Sequence, residues 1–490
     1  MRASWKSLIQ MLAVVGAAAE YYTALVGFIM SFVYYGAATI PTELTLSQID
    51  PLCSDHPHCR NSHQTWCRQV TMQSGPKEPS PVSSGYVQRS IITPVIERVT
   101  LGCTLMVLFF RWFWNWGSRD KPQPSLPHLN FRASSLLKYV LRSCYTLREP
   151  FIPTTWASFG YLQTLLGVIL SDSTIRYRRE VLQMSDGGIV ALDWAWKNSS
   201  VSKRKRRKTL SKGLIVIIPD LVAGSGNVSR LCSSAYNNGY EPVVFHRRGT
   251  NGLPLSTPKC QSLGDPSDLR DALCYLSSRL RSGRRISAIG LGFGGSLLLS
   301  YLGNYGSSSR LSAAVCLSPI YDLESTIQKN RHNSLLKWFT LQLLKLNFTN
   351  HVNTMPKFFD LDAAFSSGTL TQWLENVDCP MYKMKDMVEY WEHNEPLREA
   401  DEIAVPLLCI NSFDDPVVKK EDIPNELFST LPNLLLMTTE SGGHCGFLQD
   451  SFNPKSWAYT VAMDYIEAAL QFTENVTNER IISGRMRVDS

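Results

Sequence analysis

Gly290-Leu291-Gly292-Phe293-Gly294-Gly295 is the stretch on which the reading of this chain turns. It follows an apolar, strand-like run, Ile286 to Ile289, and precedes a helix-like run, Ser296-Leu297-Leu298-Leu299-Ser300-Tyr301-Leu302. Strand, glycine-rich corner, helix is the setting in which a G-x-S-x-G motif lifts a serine clear of the sheet to attack a carbonyl. Here the serine position holds Gly292, which carries no oxygen. The corner is present and the attacking atom is missing.

Working outward, apolar runs recur on both sides of the corner. Ile175 to Met184 and Ile189 to Trp196 flank Asp186-Gly187-Gly188, a hairpin turn rich in residues that tolerate positive φ. Gly213 to Ile218 is continuously apolar, as expected of a strand buried on both faces. Pro242 to Phe245, Leu311 to Leu317, Val405 to Ile410 and Leu434 to Met437 repeat the theme. Helical segments lie between them, among them Pro266 to Leu280, with Asp265 as the expected N-cap. Alternating strands and helices predict an α/β architecture, a mostly parallel sheet with helices on both faces. From about Tyr321 to Asp401 the alternation stops. That segment is helix-rich and aromatic (Trp338, Phe339, Phe358, Phe359, Trp373, Tyr390, Trp391), as a cap over the sheet would be.

Two further sites follow in chain order. Leu408 to Ile410 is a strand that runs into Asn411-Ser412-Phe413-Asp414-Asp415-Pro416, and Gly442-Gly443-His444 follows the last strand. Nucleophile, acid, base is the order of a Ser-Asp-His triad on such a sheet. Asp415 is the expected acid, with Asp414 as the alternative, and His444 the expected base. The oxyanion hole is expected at the backbone N–H of Phe293 and, from the loop Pro219-Asp220-Leu221, that of Leu221. A substitute nucleophile would have to come from Ser296, Cys445 or a water activated by His444. Ser296 is expected to point away from His444, and Cys445, being its chain neighbour, is not expected to face it.

The chain is 490 residues long, enough for this domain and a sizeable extra region. Its net charge of +7 comes from 49 Lys+Arg against 42 Asp+Glu, and six of the positive charges sit together at Lys203 to Lys208. With no interleaved aromatics and no nucleic-acid fold signature, that run reads as a solvated loop between strands, and nucleic-acid binding is not expected. Cys53, Cys59 and Cys67, interleaved with His56, His58 and His63, match no standard zinc spacing. An incidental loop is the first reading of that cluster, with a lumenal disulfide and a metal site as alternatives. No cofactor is expected.

Tyr21 to Ile40 is a twenty-residue run without a charge, enough to cross about 30 Å of hydrocarbon. Leu8 to Ala19 before it could equally serve a signal segment. Val99 to Phe110 is a second apolar run, followed by the interfacial pattern Arg111-Trp112-Phe113-Trp114. The basic residues place both ends of this region, and the folded domain, in the cytosol. Four N-x-S/T sequons, at Asn198, Asn227, Asn347 and Asn475, point instead to the secretory lumen or secretion. The expected organisation is an anchor or signal segment at 1–48, a polar linker at 49–98, a second anchor at 99–116, a folded domain at 150–475 with its cap at 321–401, and a flexible tail at 476–490.

The chain resembles the AB-hydrolase-4 family of lipid-handling α/β-hydrolases. The residues that carry the resemblance are Leu162-Gln163-Thr164, Asp186-Gly187-Gly188, Asp193-Trp194, Arg247-Arg248-Gly249, Thr257-Pro258, Asp268-Leu269, Ser300-Tyr301-Leu302-Gly303, Asp414-Asp415-Pro416 and Gly443-His444, and it covers about residues 150–475. It implies the α/β-hydrolase fold: a mostly parallel eight-stranded sheet flanked by helices, with a helical cap and N-terminal membrane-anchoring helices. Active members are esterases and acylglycerol or phospholipid lipases, whose serine, acid and base would map onto Gly292, Asp415 and His444. The resemblance and the missing serine together imply a catalytically impaired, membrane-associated protein that regulates lipid metabolism, lipolysis in particular, by binding a lipid or a regulatory protein partner. An active carboxylic-ester hydrolase with a substitute nucleophile is the alternative. A membrane scaffold acting through the basic loop or the N-terminal region is the third.

Overall fold

A computed structural model describes residues 124–154, 157–197, 212–221, 225–260, 262–280, 284–329, 334–355, 359–449 and 454–488. The expected anchor segments, the Cys53–Cys67 cluster and the basic run at 203–208 lie outside the described residues. Among the described residues no helix is long and apolar enough to cross a membrane.

The chain enters through strand β1 (His128–Asn130), helix α1 (Ser135–Ser143) and helix α2 (Gly160–Ile169). The hairpin β2 (Ile175–Gln183) and β3 (Ile189–Lys197) follows. Strands and helices then alternate: β4 (Gly213–Ile218), α3 (Ser225–Asn237), β5 (Tyr240–His246), α4 (Ser267–Arg279), β6 (Ile286–Leu291), α5 (Phe293–Tyr305) and β7 (Ala313–Leu317). The cap contributes α6 (Ser334–Thr349), α7 (Leu361–Ser366), α8 (Leu370–Trp373), α9 (Cys379–Tyr382) and α10 (Met387–Asn394). β8 (Leu407–Ser412), α11 (Asn425–Thr430), β9 (Leu434–Thr439) and α12 (Trp457–Val488) complete the domain, with a small ribbon of β10 (Leu448–Gln449) and β11 (Lys455–Ser456) before α12.

The sheet has nine strands in the order β1-β9-β8-β7-β6-β4-β5-β3-β2. Neighbours from β5 through β9 pair in parallel, whereas β2 and β3 join at one edge antiparallel and β1 at the other. The expected eight strands are therefore joined by a ninth, β1, which extends the packed unit N-terminally beyond 150. At the far end α12 is helical through Val488, across the segment expected as a tail. Asp265 accepts from Ser267 N at 3.0 Å, but the residue at the cap position of α4 is Pro266, one residue later than expected.

Strand alternation divides the core into two layers. Leu214, Val216 and Ile218 of β4 face α4, α5 and the cap; Ile215 and Ile217 face α1, α3 and α12. β4, β6 and β7 are buried along their whole length, which is why their sequence is apolar at every position rather than at every second one. α5 is buried from Phe293 to Gly303, and it lies so close to β4 that a Cβ on Gly294 would stand 2.2 Å from the Ile218 carbonyl oxygen.

Several residues behind the family resemblance hold this framework together. Arg248, with its side chain only 4% exposed, donates to both carboxylate oxygens of Asp268 at 2.6 Å and to Asp186 of the hairpin turn at 2.6 Å. One buried cation thus ties the β2–β3 turn, the β5 exit and the start of α4 into a unit. Asp193 plays the converse part between Arg179 and His246, and those contacts hold its carboxyl well below the usual range. Replacing Arg248 with methionine would leave the buried Asp268 carboxylate without its partner. The Arg248→Met chain is expected to lose roughly 3–5 kcal/mol of stability in a urea titration; a loss under 1 kcal/mol would show that the clamp is not structural.

Candidate active site

The corner between β6 and α5 has the geometry expected of it. Gly292 lies at φ 50°, ψ −120°, a conformation open to glycine and strained for other residues. Its N–H donates to Leu317 O at 2.9 Å, so the corner is fastened to the end of β7. The space above it is filled. A Cβ built on Gly292 would lie 2.5 Å from Asp220 Oδ1 and 2.7 Å from His444 Nε2, both far inside contact distance.

Asp220, in the loop after β4, fills that space. Its Oδ1 accepts the backbone N–H of Phe293 at 2.9 Å and that of Leu221 at 2.7 Å. These are the two donors expected to form an oxyanion hole, and the structure brings them onto a single oxygen. That oxygen belongs to the protein itself. Sequence reasoning treated Asp220 as one residue of a loop. The available signal was a carboxylate directly before a proposed oxyanion donor in a chain without a nucleophile.

His444 and Asp415 meet as expected. Nδ1 of His444 donates to Asp415, at 2.9 Å from Oδ2 and 3.1 Å from Oδ1, and both side chains are buried. Asp414 is not the partner: it accepts Gly443 N at 2.9 Å and steadies the histidine loop, with burial raising its carboxyl to about 6. Thr164 of α2 accepts His444 N at 2.8 Å, and Gln163 beside it bonds Leu448 N and O on the far side of the loop. The Leu162-Gln163-Thr164 motif is therefore a seat for the base loop.

The charge state of the histidine follows from its neighbours. Nε2 of His444 lies 3.6 Å from Asp220 Oδ2, too far for a hydrogen bond and close enough for an ion pair. Burial disfavours the imidazolium, but the carboxylates of Asp415 and Asp220 outweigh it and hold the His444 pKa well above its ordinary value of 6.5. Burial likewise pushes against ionisation of Asp220, and His444 with the two backbone N–H groups overcomes it, lowering the carboxyl below 3.8. Both carboxylates thus favour the imidazolium form of His444. A histidine stabilised in its protonated form is a weaker general base.

The substitute nucleophiles are committed elsewhere. Ser296 Oγ donates to Ile320 O at 2.7 Å, inside the protein. Cys445 Sγ donates to Leu317 O at 3.3 Å, and burial pushes its thiol up to about 12. Among the described residues no cluster of His, Cys, Asp or Glu is suited to a metal ion.

With this geometry in hand, comparison with known proteins fixes the lineage. Human ABHD15 is 36% identical over 337 residues, which span 67% of this chain and 70% of that protein. The chain belongs to the ABHD family of α/β-hydrolase-fold proteins. Mouse phospholipase ABHD3 is 26% identical over 72% of this chain and 86% of its own length. Mouse monoacylglycerol lipase ABHD2 is 24% identical over 71% and 87%. No protein-family model matches the chain. Among solved structures, an esterase from Pyrococcus furiosus is similar over 55% of this chain and 84% of its own, at 16% identity and a TM-score of 0.36.

The His444–Asp220 contact has a distinct pH signature. The lowered Asp220 value makes its contribution complete above 3.8 and lost as pH falls through the folded-state value. The raised His444 value makes its contribution complete below 6.5 and lost as pH rises through its own folded-state value. The stability difference between wild type and Asp220→Asn is expected to peak between these limits and shrink on both sides. By NMR, the His444 ring is expected to remain imidazolium at pH 7 in wild type and to titrate at lower pH in Asp220→Asn. Identical titrations in the two would remove Asp220 from the account.

Proposed function

We propose that this chain is a membrane-associated α/β-hydrolase-fold protein that has lost ester hydrolysis and acts in the regulation of lipid metabolism, lipolysis in particular, by binding a lipid or a regulatory protein. One observation carries the reading: a single oxygen of Asp220 takes both backbone donors that would otherwise stabilise an oxyanion. Three elements of ester hydrolysis fail together. The nucleophile is absent, the oxyanion site is occupied by a carboxylate, and the histidine stands between two carboxylates that favour its protonated form. Losing the nucleophile alone costs on the order of 10⁶ in kcat, and losing an oxyanion donor costs roughly 10²–10³ more.

Relatives named phospholipase and monoacylglycerol lipase support a lipid as the ligand class. The N-terminal apolar runs support attachment to a membrane. A cytosol-facing domain agrees with two of the sequons, since Asn227 is buried against Arg230 and Tyr459 and the Asn347 amide donates to Gly249 O. The alternative, an active ester hydrolase with a substitute nucleophile, now has one candidate in Asp220, whose Oδ2 faces His444. Attack by a carboxylate would still require His444 to take up a proton in the later, water-activating step, and its imidazolium form opposes that.

The test is ester turnover by wild type and by Gly292→Ser, Asp220→Ala and the double variant, each with His444→Ala as control. Wild type and both single variants are expected to be silent. The serine alone would collide with Asp220, and the alanine alone supplies no nucleophile. The double variant is expected to rise roughly 10²-fold or more above wild type, given an emptied oxyanion site and a hydroxyl at position 292. Turnover by wild type that His444→Ala abolishes would overturn the reading.

A further inference from the structure

A second buried cation lies beside the site, and among the described residues no carboxylate pairs with it. Arg247 follows β5 directly and is 6% exposed. Its Nη2 donates to Phe293 O at 3.0 Å, while its Nε and Nη1, both buried, have no partner among the described residues. The contrast with Arg248 is sharp, since that neighbour is clamped by two carboxylates. Burial without a paired anion pushes the Arg247 guanidinium down to about 10, with Asp220 only partly offsetting it. Burying a charge in this way costs several kcal/mol unless something completes it.

Arg247 lines a cavity of about 80 Å³ between the sheet and the cap. The rest of the wall is largely apolar: Leu263 and Phe293 on the sheet side, Leu344, Phe348, Trp373 and Val377 on the cap side. Room for several water-sized groups corresponds to a small head and a short run of methylenes. We propose that this cavity binds a monoanionic acyl ligand, a free fatty-acid carboxylate, with its head on Arg247 and its first methylenes against the cap. This deepens the lipid-binding reading above and rests on it. An ester, the substrate of an active relative, presents no charge to a guanidinium; a carboxylate, the product of such a reaction, does. A doubly charged head is disfavoured because Asp378 also lines the cavity; it accepts from Tyr390 Oη at 2.9 Å, and burial pushes its carboxyl up to about 7, so a second negative charge would face a carboxyl that ionises near neutral pH.

The probes are hexanoate, methyl hexanoate and hexyl phosphate, titrated by ligand-observed NMR against the full chain in lipid nanodiscs, with empty nanodiscs as reference. Hexanoate is expected to bind about tenfold tighter than its methyl ester and tighter than hexyl phosphate. Each methylene added from butyrate upward is expected to gain roughly three- to fourfold until the cavity is full. Arg247→Met is expected to bring the acid to the level of the ester, and Arg247→Lys to keep part of the preference. Equal binding of acid and ester by wild type would overturn the carboxylate assignment and leave lipid binding standing. Preferred binding of hexyl phosphate would overturn it in favour of a phosphate head. Saturable binding of none of the three would overturn lipid binding in this cavity as well. The wild-type comparison decides even if Arg247→Met fails to fold.

Discussion

A single carboxylate holds four loops in register around the β6–α5 corner. Through Oδ1, Asp220 takes the N–H of Phe293 at the start of α5 and of Leu221 in its own loop; through Oδ2 it faces His444, and His444 in turn holds Asp415 after β8. His444 and Asp415 are buried and Asp220 is partly so, so the first two charges have given up water and depend on one another. The backbone N–H groups matter as much as the ions do. They point at a fixed spot whatever the side chains do, because the corner and the start of a helix leave them without partners. If no anion arrived there, two donors would stay unsatisfied. In an active hydrolase that spot is left for a transient oxyanion. Here a permanent anion takes it.

The same interaction explains why His444 and Asp415 keep their geometry with no nucleophile between them. The histidine ring faces both carboxylates, and removing it would strand the buried Asp415. Asp414 and Thr164, which fix the histidine loop through Gly443 N and His444 N, are then parts of a structural tie as much as of a catalytic one. A triad-like order in sequence is therefore compatible with two quite different electrostatic states. Only the third dimension shows the second carboxylate that faces the histidine.

Much of the fold was legible because its signals are local. Continuous apolar runs marked β4, β6 and β7, and the glycines of the corner marked the β6–α5 turn; close packing at Gly294 leaves no room for a larger residue. His444, Asp415, Phe293 and Leu221 were legible by chain order and by their position after strands. Asp220 was not. Its part depends on what stands across from it, and Pro219-Asp220-Leu221 looks like any strand exit. β1 was missed because three residues give no periodicity, and its place is set by pairing with β9 far along the chain. The extension of α12 to Val488 was missed because Asn475 and its polar neighbours suggest a tail, while the helix is carried on from an apolar start packed at Trp457 to Leu470. Arg247 and Arg248 are adjacent and chemically identical in sequence. Only the structure shows that Arg248 has two carboxylates and Arg247, among the described residues, has none.

Gly292 and Asp220 are best understood as one change rather than two. A serine at 292 needs the volume that the Asp220 carboxylate fills, so each residue excludes the other's active-enzyme counterpart. Glycine also removes the roughly 1–3 kcal/mol of backbone strain that a side chain at this φ and ψ would bring, and the carboxylate satisfies two otherwise orphaned donors. The site has thus closed over the missing serine at a gain in stability. The adjoining cavity has not closed. A cavity of about 80 Å³ remains there, with a buried guanidinium in its wall. A fold free to relax in both places has tightened in one and stayed open in the other. That asymmetry is what a protein that has dropped the reaction and kept the ligand would show.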